Sequence, residues 1–149
     1  MIRIENLTKY YGPYPAVDGI SFEIRRGEIL GLLGPNGAGK TTTMRILTCY
    51  LRPTSGTIRV KDFSIRDNPV EIKKLIGYLP ESAPLYPDML VYDYLGFVAD
   101  VRGIRGPRAD SRTRELARMC GIGDVMHRPI GELSKGYRQR VGLAHAMMG

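Results

Sequence analysis

The sequence predicts an α/β fold in which a mixed sheet surrounds a glycine-rich loop and a helical subdomain follows. Residues 2–10 alternate apolar and polar side chains, which is typical of a strand with one solvated face. Residues 28–34 are a short apolar run fit for a buried parallel strand, and residues 40–51 after the loop fit a helix. We therefore expect one domain, with a core and its N-terminal antiparallel strands in residues 1–90 and a helical subdomain in residues 91–149.

Turn signals divide the predicted core into its remaining elements. Residues 16–25 are predicted to form a second strand, and residues 26–28 a tight reversal into the apolar run at 28–34. Proline and glycine at residues 52–56 indicate a loop after the first helix. The elements expected after this loop are a strand over 57–60, a brief helix over 70–75 and a strand over 76–79.

Helical periodicity replaces strand patterns from Val91 onward. Three stretches, at residues 91–101, 108–120 and 134–148, have apolar positions at helical spacing. We find no convincing strand signal among them, so the second part of the chain is predicted to be all-helical.

Composition indicates a globular protein without a membrane span. Of the 149 residues, 43% are hydrophobic, and no apolar run approaches the roughly 18 residues that a span needs. The N-terminus leads directly into a strand pattern, so we expect no signal peptide. Cys49 and Cys120 lack metal-ligand spacing and are expected to be reduced thiols of a cytosolic protein.

The net charge of +7 is unevenly spread, because residues 101–149 carry ten Arg and Lys against four Asp and Glu. A basic stripe can bind nucleic acid or anionic lipid, but no aromatic residues interleave with these arginines. We therefore favour a solvated helix face and expect no nucleic-acid partner. The arginines are Arg102, Arg105, Arg108, Arg112, Arg114 and Arg118.

The glycine-rich loop, residues 34–42, reads Gly-Pro-Asn-Gly-Ala-Gly-Lys-Thr-Thr and fits the P-loop pattern for binding nucleotide phosphates. Polyphosphate is densely charged, so its site needs many donors and little steric bulk. Three glycines allow main-chain N–H groups to approach the phosphate oxygens, and the helix that follows adds its unpaired N–H groups. These glycines are Gly34, Gly37 and Gly39. The loop, from here on called the P-loop, therefore predicts a nucleotide site.

Three side chains at the end of the P-loop complete the predicted site. Lys40 is expected to reach the β- and γ-phosphates, and Thr41 to place its hydroxyl on Mg²⁺. Thr42 offers a further hydroxyl, which we assign to the α-phosphate.

A second motif begins the last predicted helix. Residues 133–140 read Leu-Ser-Lys-Gly-Tyr-Arg-Gln-Arg, with Ser134 at a position suited to an N-cap and Gly136 leaving the first turn open to a ligand. With the P-loop, this segment resembles the nucleotide-binding cassette of ABC transporters, whose signature is usually Leu-Ser-Gly-Gly-Gln followed by Arg-Gln-Arg. Lys135 and Tyr137 depart from that signature, whereas Ser134 and Gly136 agree with it.

The resemblance covers the whole chain and implies further roles. Tyr11 matches the aromatic residue that stacks on adenine in this family, with Tyr10 as the alternative. Glu81 stands where the family has a Gln near Mg²⁺ and the attacking water, and a carboxylate also suits Mg²⁺. The nucleotide contacts implied for ATP and Mg²⁺ are Tyr11, Gly34, Pro35, Asn36, Gly37, Ala38, Gly39, Lys40, Thr41, Thr42, Ser134 and Gly136, with Thr41 and Glu81 at the metal.

The family also has an apolar strand ending in Asp-Glu and, further on, a histidine that senses the γ-phosphate. Neither occurs in residues 1–149, so we expect a C-terminally truncated cassette that lacks its general base. His127 and His145 precede that point and do not take the sensing role. Glu81 remains near the attacking water, but we expect negligible ATPase activity from this chain alone.

For the intact protein, the resemblance implies an ATPase that drives export through a separate membrane permease. It implies a head-to-tail dimer in which Ser134 and Gly136 of one cassette complete the P-loop site of the other. The expected location is cytoplasmic, peripheral on the inner face of the membrane. The segment Leu-Pro-Glu at residues 79–81 resembles export cassettes of the gliding-motility, multidrug and antibiotic-resistance kind.

Two alternatives stay open from the sequence. The first is an ABC-type ATPase that acts on ribosomes or DNA, although such relatives usually carry two cassettes or a large insertion. The second is a P-loop kinase or GTPase, against which the segment at residues 133–140 and the lack of a guanine-reading sequence count.

Overall fold

The computed structural model describes residues 1–81 and 84–149, and it divides the chain into two compact units, Met1–Leu75 and Ile76–Gly149. Secondary structure within the two units is α/β in class, as predicted. The division into a core over residues 1–90 and a helical subdomain over residues 91–149 remains a prediction.

The first unit is built on a four-stranded sheet in the order β2-β1-β3-β4, in which the paired strands are all antiparallel. Apolar side chains of β1 and β3, among them Ile4, Leu7 and Ile58, are fully buried, as is Ile46 of the helix at residues 40–47. The elements are β1 (Ile2–Tyr11), β2 (Tyr14–Ile24), α1 (Lys40–Leu47), β3 (Ser55–Val60), β4 (Phe63–Ser64) and α2 (Pro69–Leu75).

Residues 28–34 do not form the predicted strand. Ile29 and Leu33 are 98% and 94% exposed, and no strand of the described chain pairs with this segment. A strand is defined by its hydrogen-bonded ladder, so an apolar run without a partner stays irregular. The predicted strand at residues 76–79 is also absent from the structure, for the same reason.

The first helix ends at Leu47 and not at residue 51 as predicted. Cys49 has a φ of +57°, which α-helical residues do not adopt, and the N–H groups of Tyr50 and Leu51 both donate to the carbonyl of Arg45. These bonds close the helix end and turn the chain toward β3.

The second unit is helical, as predicted, with a core of apolar side chains contributed by every helix. Val91, Leu95 and Val98 lie on one face of the helix at residues 91–101. They are buried in one cluster with Leu116 of the helix at residues 107–119 and Val141 of the helix at residues 135–146. The helices are α3 (Val91–Val101), α4 (Pro107–Met119) and α5 (Lys135–Ala146), with 3₁₀ turns at Gly123–Val125 and Ile130–Glu132. Within the described residues, none of the helices combines the length and apolar character that crossing a bilayer requires.

Candidate functional site

The P-loop is an open turn that joins the irregular segment at 28–34 to the start of α1. Gly37 and Gly39 have φ values of +87° and +82°, in the left-handed region that favours glycine. Gly39 also has no room for a side chain, because a Cβ there would lie 2.1 Å from the carbonyl oxygen of Ala16 on β2. Gly37 has open space around it, so its bare backbone is free to approach a ligand. The loop therefore has the backbone conformation that a phosphate cradle needs.

The Lys40 side chain is hydrogen-bonded to the first residues of the P-loop. Its ammonium group donates to the carbonyl oxygens of Gly34 and Pro35, at 2.6 and 2.7 Å. Both acceptors belong to exposed residues of the loop, so the positive charge is held at the loop itself. An anion bound there would gain a charge-assisted contact as well as the positive end of the α1 dipole.

The three threonines at the start of α1 differ in burial and in hydrogen bonding. Thr43 is buried, and its hydroxyl donates to the carbonyl of Gly39 at 3.0 Å, which fixes the first turn. The hydroxyls of Thr41, which is exposed, and of Thr42, which is half-buried, form no hydrogen bond within residues 1–81 and 84–149. Both remain available to a phosphate or to a metal bound with it.

A cavity of about 670 Å³ lies beside this turn in the first unit. Its walls come from the P-loop residues Gly37, Ala38 and Lys40, from β2 residues between positions 15 and 22, and from Leu32 and Leu33. A volume of this size suits a nucleotide-sized ligand. The sequence did not point to the β2 residues that line the cavity, among them Asp18, because strand pairing alone brings them beside the loop.

Tyr11, the residue predicted to stack on adenine, lies at the end of β1 and is 48% exposed. The ammonium group of Lys9 lies 5.5 Å from the centre of its ring. Neither Tyr11 nor the alternative Tyr10 is among the residues that line the cavity. The adenine contact of Tyr11 therefore remains a prediction.

In the second unit, Ser134 is the N-cap of α5, as predicted. Its hydroxyl accepts a hydrogen bond from the N–H of Tyr137 at 3.3 Å. Lys135 and Gly136 beside it are exposed, and a Cβ at Gly136 would meet only the Ser134 hydroxyl at an ordinary 3.8 Å. Packing within the unit does not require glycine at this position, which favours a role in ligand approach.

Two arginines of the segment at residues 133–140 contact residues at the start of α5. Arg138 donates to the carbonyl of Leu133, and the guanidinium of Arg140 lies 5.4 Å from the centre of the Tyr137 ring. Tyr137, which replaces the usual Gln, packs partly buried against the helical core. These contacts fix the backbone from which the exposed N–H groups at the start of α5 project.

Glu81 is joined to the same helix by a contact that sequence reasoning missed. The side-chain amide of Gln139 donates to the backbone carbonyl of Glu81 at 2.7 Å, while Glu81 itself is exposed. In the sequence, Gln139 was visible only as part of the match to Arg-Gln-Arg, and that match did not predict a contact with Glu81. Gln139 thus ties the residue predicted to lie near Mg²⁺ to the helix that carries Ser134.

The P-loop before α1 and the capped segment before α5 are the two features that a comparison with known proteins can test. The family model described as ABC transporter matches residues 17–149. The chain belongs to the ABC transporter family. This confirms the resemblance drawn from residues 34–42 and 133–140, and with it the class of fold.

Individual relatives agree with this assignment. The chain is 38% identical over 148 residues to the uncharacterized ABC transporter ATP-binding protein YxlF of Bacillus subtilis, covering 99% of this chain and 48% of that protein. It is 34% identical over 148 residues to the probable multidrug ABC transporter ATP-binding protein YbhF of Escherichia coli, covering 99% of this chain and 26% of YbhF. The chain therefore spans about half or less of the length of these relatives.

A solved structure shows the same architecture. The dimeric structure of MJ0796, a bacterial ABC transporter cassette, superimposes with a TM-score of 0.87 at 25% identity, over 99% of this chain and 69% of that one. The cassette fold is thus retained through both units of this ABC transporter chain.

One polar pair of the second unit joins the buried Tyr94 to the half-buried His145. The hydroxyl of Tyr94 and Nδ1 of His145 share a hydrogen bond of 2.6 Å. Burial, with a further contribution from Tyr86, raises the pKa of Tyr94 to about 12. Burial, and secondarily the positive charge of Arg102, lowers the pKa of His145. The pair is therefore neutral at neutral pH.

This pair predicts a pH dependence of stability. A folded-state pKa below the usual value of about 6.5 means that protonation favours the unfolded chain. The contribution of His145 is therefore fully present above pH ~6.5 and is lost as the pH falls from there through its folded-state pKa. We expect urea unfolding between pH 8 and 5 to show a smaller loss of stability in His145→Gln than in the unchanged chain. The matched control is the exposed His127; if His127→Gln flattened the profile and His145→Gln did not, the assignment to His145 would fail.

Proposed function

We propose that this chain is the ATP-binding part of an ABC exporter, with ATP–Mg²⁺ bound at the P-loop. The observation that carries the proposal is the loop itself, in which left-handed glycines, the Lys40 ammonium group and the uncommitted Thr41 hydroxyl lie together at the start of α1. Membership of the ABC transporter family supports it. The export direction is supported by the resemblance of residues 79–81 to export cassettes and by the similarity to YbhF, a probable multidrug ABC transporter ATP-binding protein.

Mg²⁺ fits this site as a metal carried in with the nucleotide. Within residues 1–81 and 84–149, no group of three or more His, Cys, Asp or Glu residues is placed to hold a metal ion. Mg²⁺ commonly keeps several waters and binds through one or two protein ligands together with substrate phosphates. Thr41 would supply such a ligand, with Glu81 as the second predicted from the family resemblance. The metal would neutralise charge on the β- and γ-phosphates.

Equilibrium binding of labelled ATP, measured with and without Mg²⁺, tests this proposal. We expect saturable binding of one ATP per chain that weakens when EDTA removes Mg²⁺. GTP serves as the competitor, because a guanine-specific site would indicate a GTPase. Absence of ATP binding at millimolar concentration would overturn the proposal.

The proposed working unit is a head-to-tail pair of cassettes attached to a membrane permease. The exposed N–H groups at Lys135 and Gly136, behind the Ser134 cap, have the character of an anion site and would contact the γ-phosphate held by the partner's P-loop. The dimeric state of the MJ0796 cassette supports such pairing. In this arrangement ATP, which has a γ-phosphate, would join the two cassettes, and ADP would not.

Replacing Ser134 by Arg tests the pairing. The long side chain would fill the space in front of the α5 N-terminus and remove the cap, so we expect ATP-induced dimerisation to be lost while ATP binding is retained. The measurement is light scattering with ATP and with ADP. Ser111→Arg, at an exposed position of α4, is the control. ATP-driven dimers of Ser134→Arg would contradict the head-to-tail model.

Hydrolysis by the 149-residue chain alone is proposed to be negligible. Among its residues, Glu81 is the one carboxylate that the resemblance places near the attacking water, and no Asp-Glu pair follows an apolar strand in the sequence. Without a positioned base, water is not activated even where ATP binds. Phosphate release should therefore stay at the level of the Lys40→Ala variant. A rate well above that variant would show that a base within residues 1–149 had been overlooked.

A further inference from the structure

The first unit contains a second cavity, of about 530 Å³, whose lining is strongly basic. It lies between the turn after α1 and helix α2, and none of its lining residues belongs to the P-loop or to the larger cavity. Three of the nine lining residues are cationic, namely Arg52, Arg66 and Lys73, and none is Asp or Glu. The remaining walls include the Thr54 and Cys49 side chains.

The positive charge of this lining is not neutralised by ion pairs to its arginines. Neither Arg52 nor Arg66 forms a salt bridge within residues 1–81 and 84–149. The Arg66 guanidinium donates from Nη2 to the carbonyl of Gly56 at 3.1 Å, a bond that anchors the group and leaves its further N–H groups for a ligand. On α2, the carboxylate of Glu71 pairs with Lys74 at 3.0 Å.

Cys49 does not offset this charge. Burial raises the pKa of its thiol, an effect that Lys73 only partly opposes, so the thiol is neutral at neutral pH. The like charges of Arg52 and Arg66 beside one concavity repel each other and focus a positive potential into it. A bound anion would relieve that repulsion.

We propose that this basic cavity binds a small phosphate-bearing anion, independently of the nucleotide at the P-loop. Arginine forks match the oxygens of a phosphate group, and a lysine adds a point charge. The volume lies within the range of about 300–1,000 Å³ that is usual for small-molecule sites. Free inorganic phosphates and the headgroup of an anionic phospholipid share this chemistry, and the test distinguishes them.

Cys49 provides a reporter inside the cavity. The chain has two cysteines, so Cys120→Ser leaves Cys49 as its single thiol. Lys40→Ala is added to weaken phosphate binding at the P-loop. Protection of Cys49 then reports on the basic cavity alone, and the result does not depend on whether the P-loop binds a nucleotide. The measurement is the rate of alkylation of Cys49 by N-ethylmaleimide, an uncharged reagent, with sodium pyrophosphate or with sodium chloride at equal ionic strength.

We expect pyrophosphate, and not chloride, to slow the alkylation of Cys49 in a saturable manner. Arg52→Gln should raise the half-saturating concentration roughly tenfold, the effect of losing one charge-assisted contact. The matched control Arg59→Gln, an exposed arginine of β3 that does not line the cavity, should leave it unchanged. Amide chemical shifts of Thr54 and Lys73 on titration give a second readout that does not depend on thiol chemistry.

Vesicles extend the same measurement to lipid. Protection by phosphatidylglycerol vesicles but not by pyrophosphate or phosphatidylcholine vesicles would identify the anion as a lipid headgroup, and protection by pyrophosphate would identify a free phosphate. Either result supports the proposal if Arg52→Gln weakens it. Protection by neither, or protection unaffected by Arg52→Gln, would overturn it.

Discussion

Replacing Lys40 by Ala is expected to lower the affinity of this chain for ATP by roughly 100-fold, an effect at the upper end of that for losing a charge-assisted contact. Among the residues that the structure describes, the Lys40 ammonium group is hydrogen-bonded to the carbonyls of Gly34 and Pro35 and to no other group, so its removal should cost the fold about 1 kcal/mol or less. The measurement is isothermal titration with ATP–Mg²⁺, with urea unfolding as the test of folding.

Lys74→Ala is the matched control for this variant. Lys74 is a solvent-exposed lysine of the same unit, and its salt bridge to Glu71 is of a kind that contributes little to stability. Its loss should leave ATP affinity unchanged. Equal affinities in Lys40→Ala and the unchanged chain would remove the P-loop assignment.

Gly39→Ala is expected to have the largest structural effect of any single change in the P-loop. A Cβ at this position would lie 2.1 Å from the carbonyl oxygen of Ala16 and 3.1 Å from Cγ2 of Val17, and φ is +82°. The loop and β2 must move apart, so we expect the free energy of unfolding to fall by about 3 kcal/mol or more. We also expect ATP binding to be lost. Urea unfolding and ATP titration measure the two effects.

Gly37→Ala separates the clash from backbone strain. Gly37 has nearly the same φ, +87°, but no atom within 4 Å of its Cβ position. Its substitution should cost only the strain of the left-handed conformation, about 1–2 kcal/mol. If the two variants were equally destabilised, close approach to Ala16 would not be the reason for glycine at position 39.

Local signals in the sequence predicted the elements that need no distant partner. The spacing of Val91, Leu95 and Val98 gave α3 its correct bounds, and Ser134 marked the start of α5 because an N-cap acts within one turn. The P-loop was equally visible, since its glycines and Lys40 interact within seven residues. In each case the decisive contacts join residues that are neighbours in sequence.

Features that depend on distant residues were not predictable in this way. The apolar run at residues 28–34 has the composition of a strand, but a strand forms only beside a partner, and pairing is not encoded locally. The contact between Gln139 and Glu81 joins residues 58 apart. The basic cavity gathers Arg52 and Arg66 from two connecting segments and Lys73 from α2, and the sequence gives no local signal that these residues lie together.

Titration of isotope-labelled chain with ATP–Mg²⁺, followed by amide chemical shifts, tests the nucleotide site most directly. The largest shifts are expected at Gly37, Gly39, Lys40 and Thr41, with one saturation curve for all four. Shifts confined to other parts of the first unit, or none at millimolar ATP, would contradict ATP binding at the P-loop.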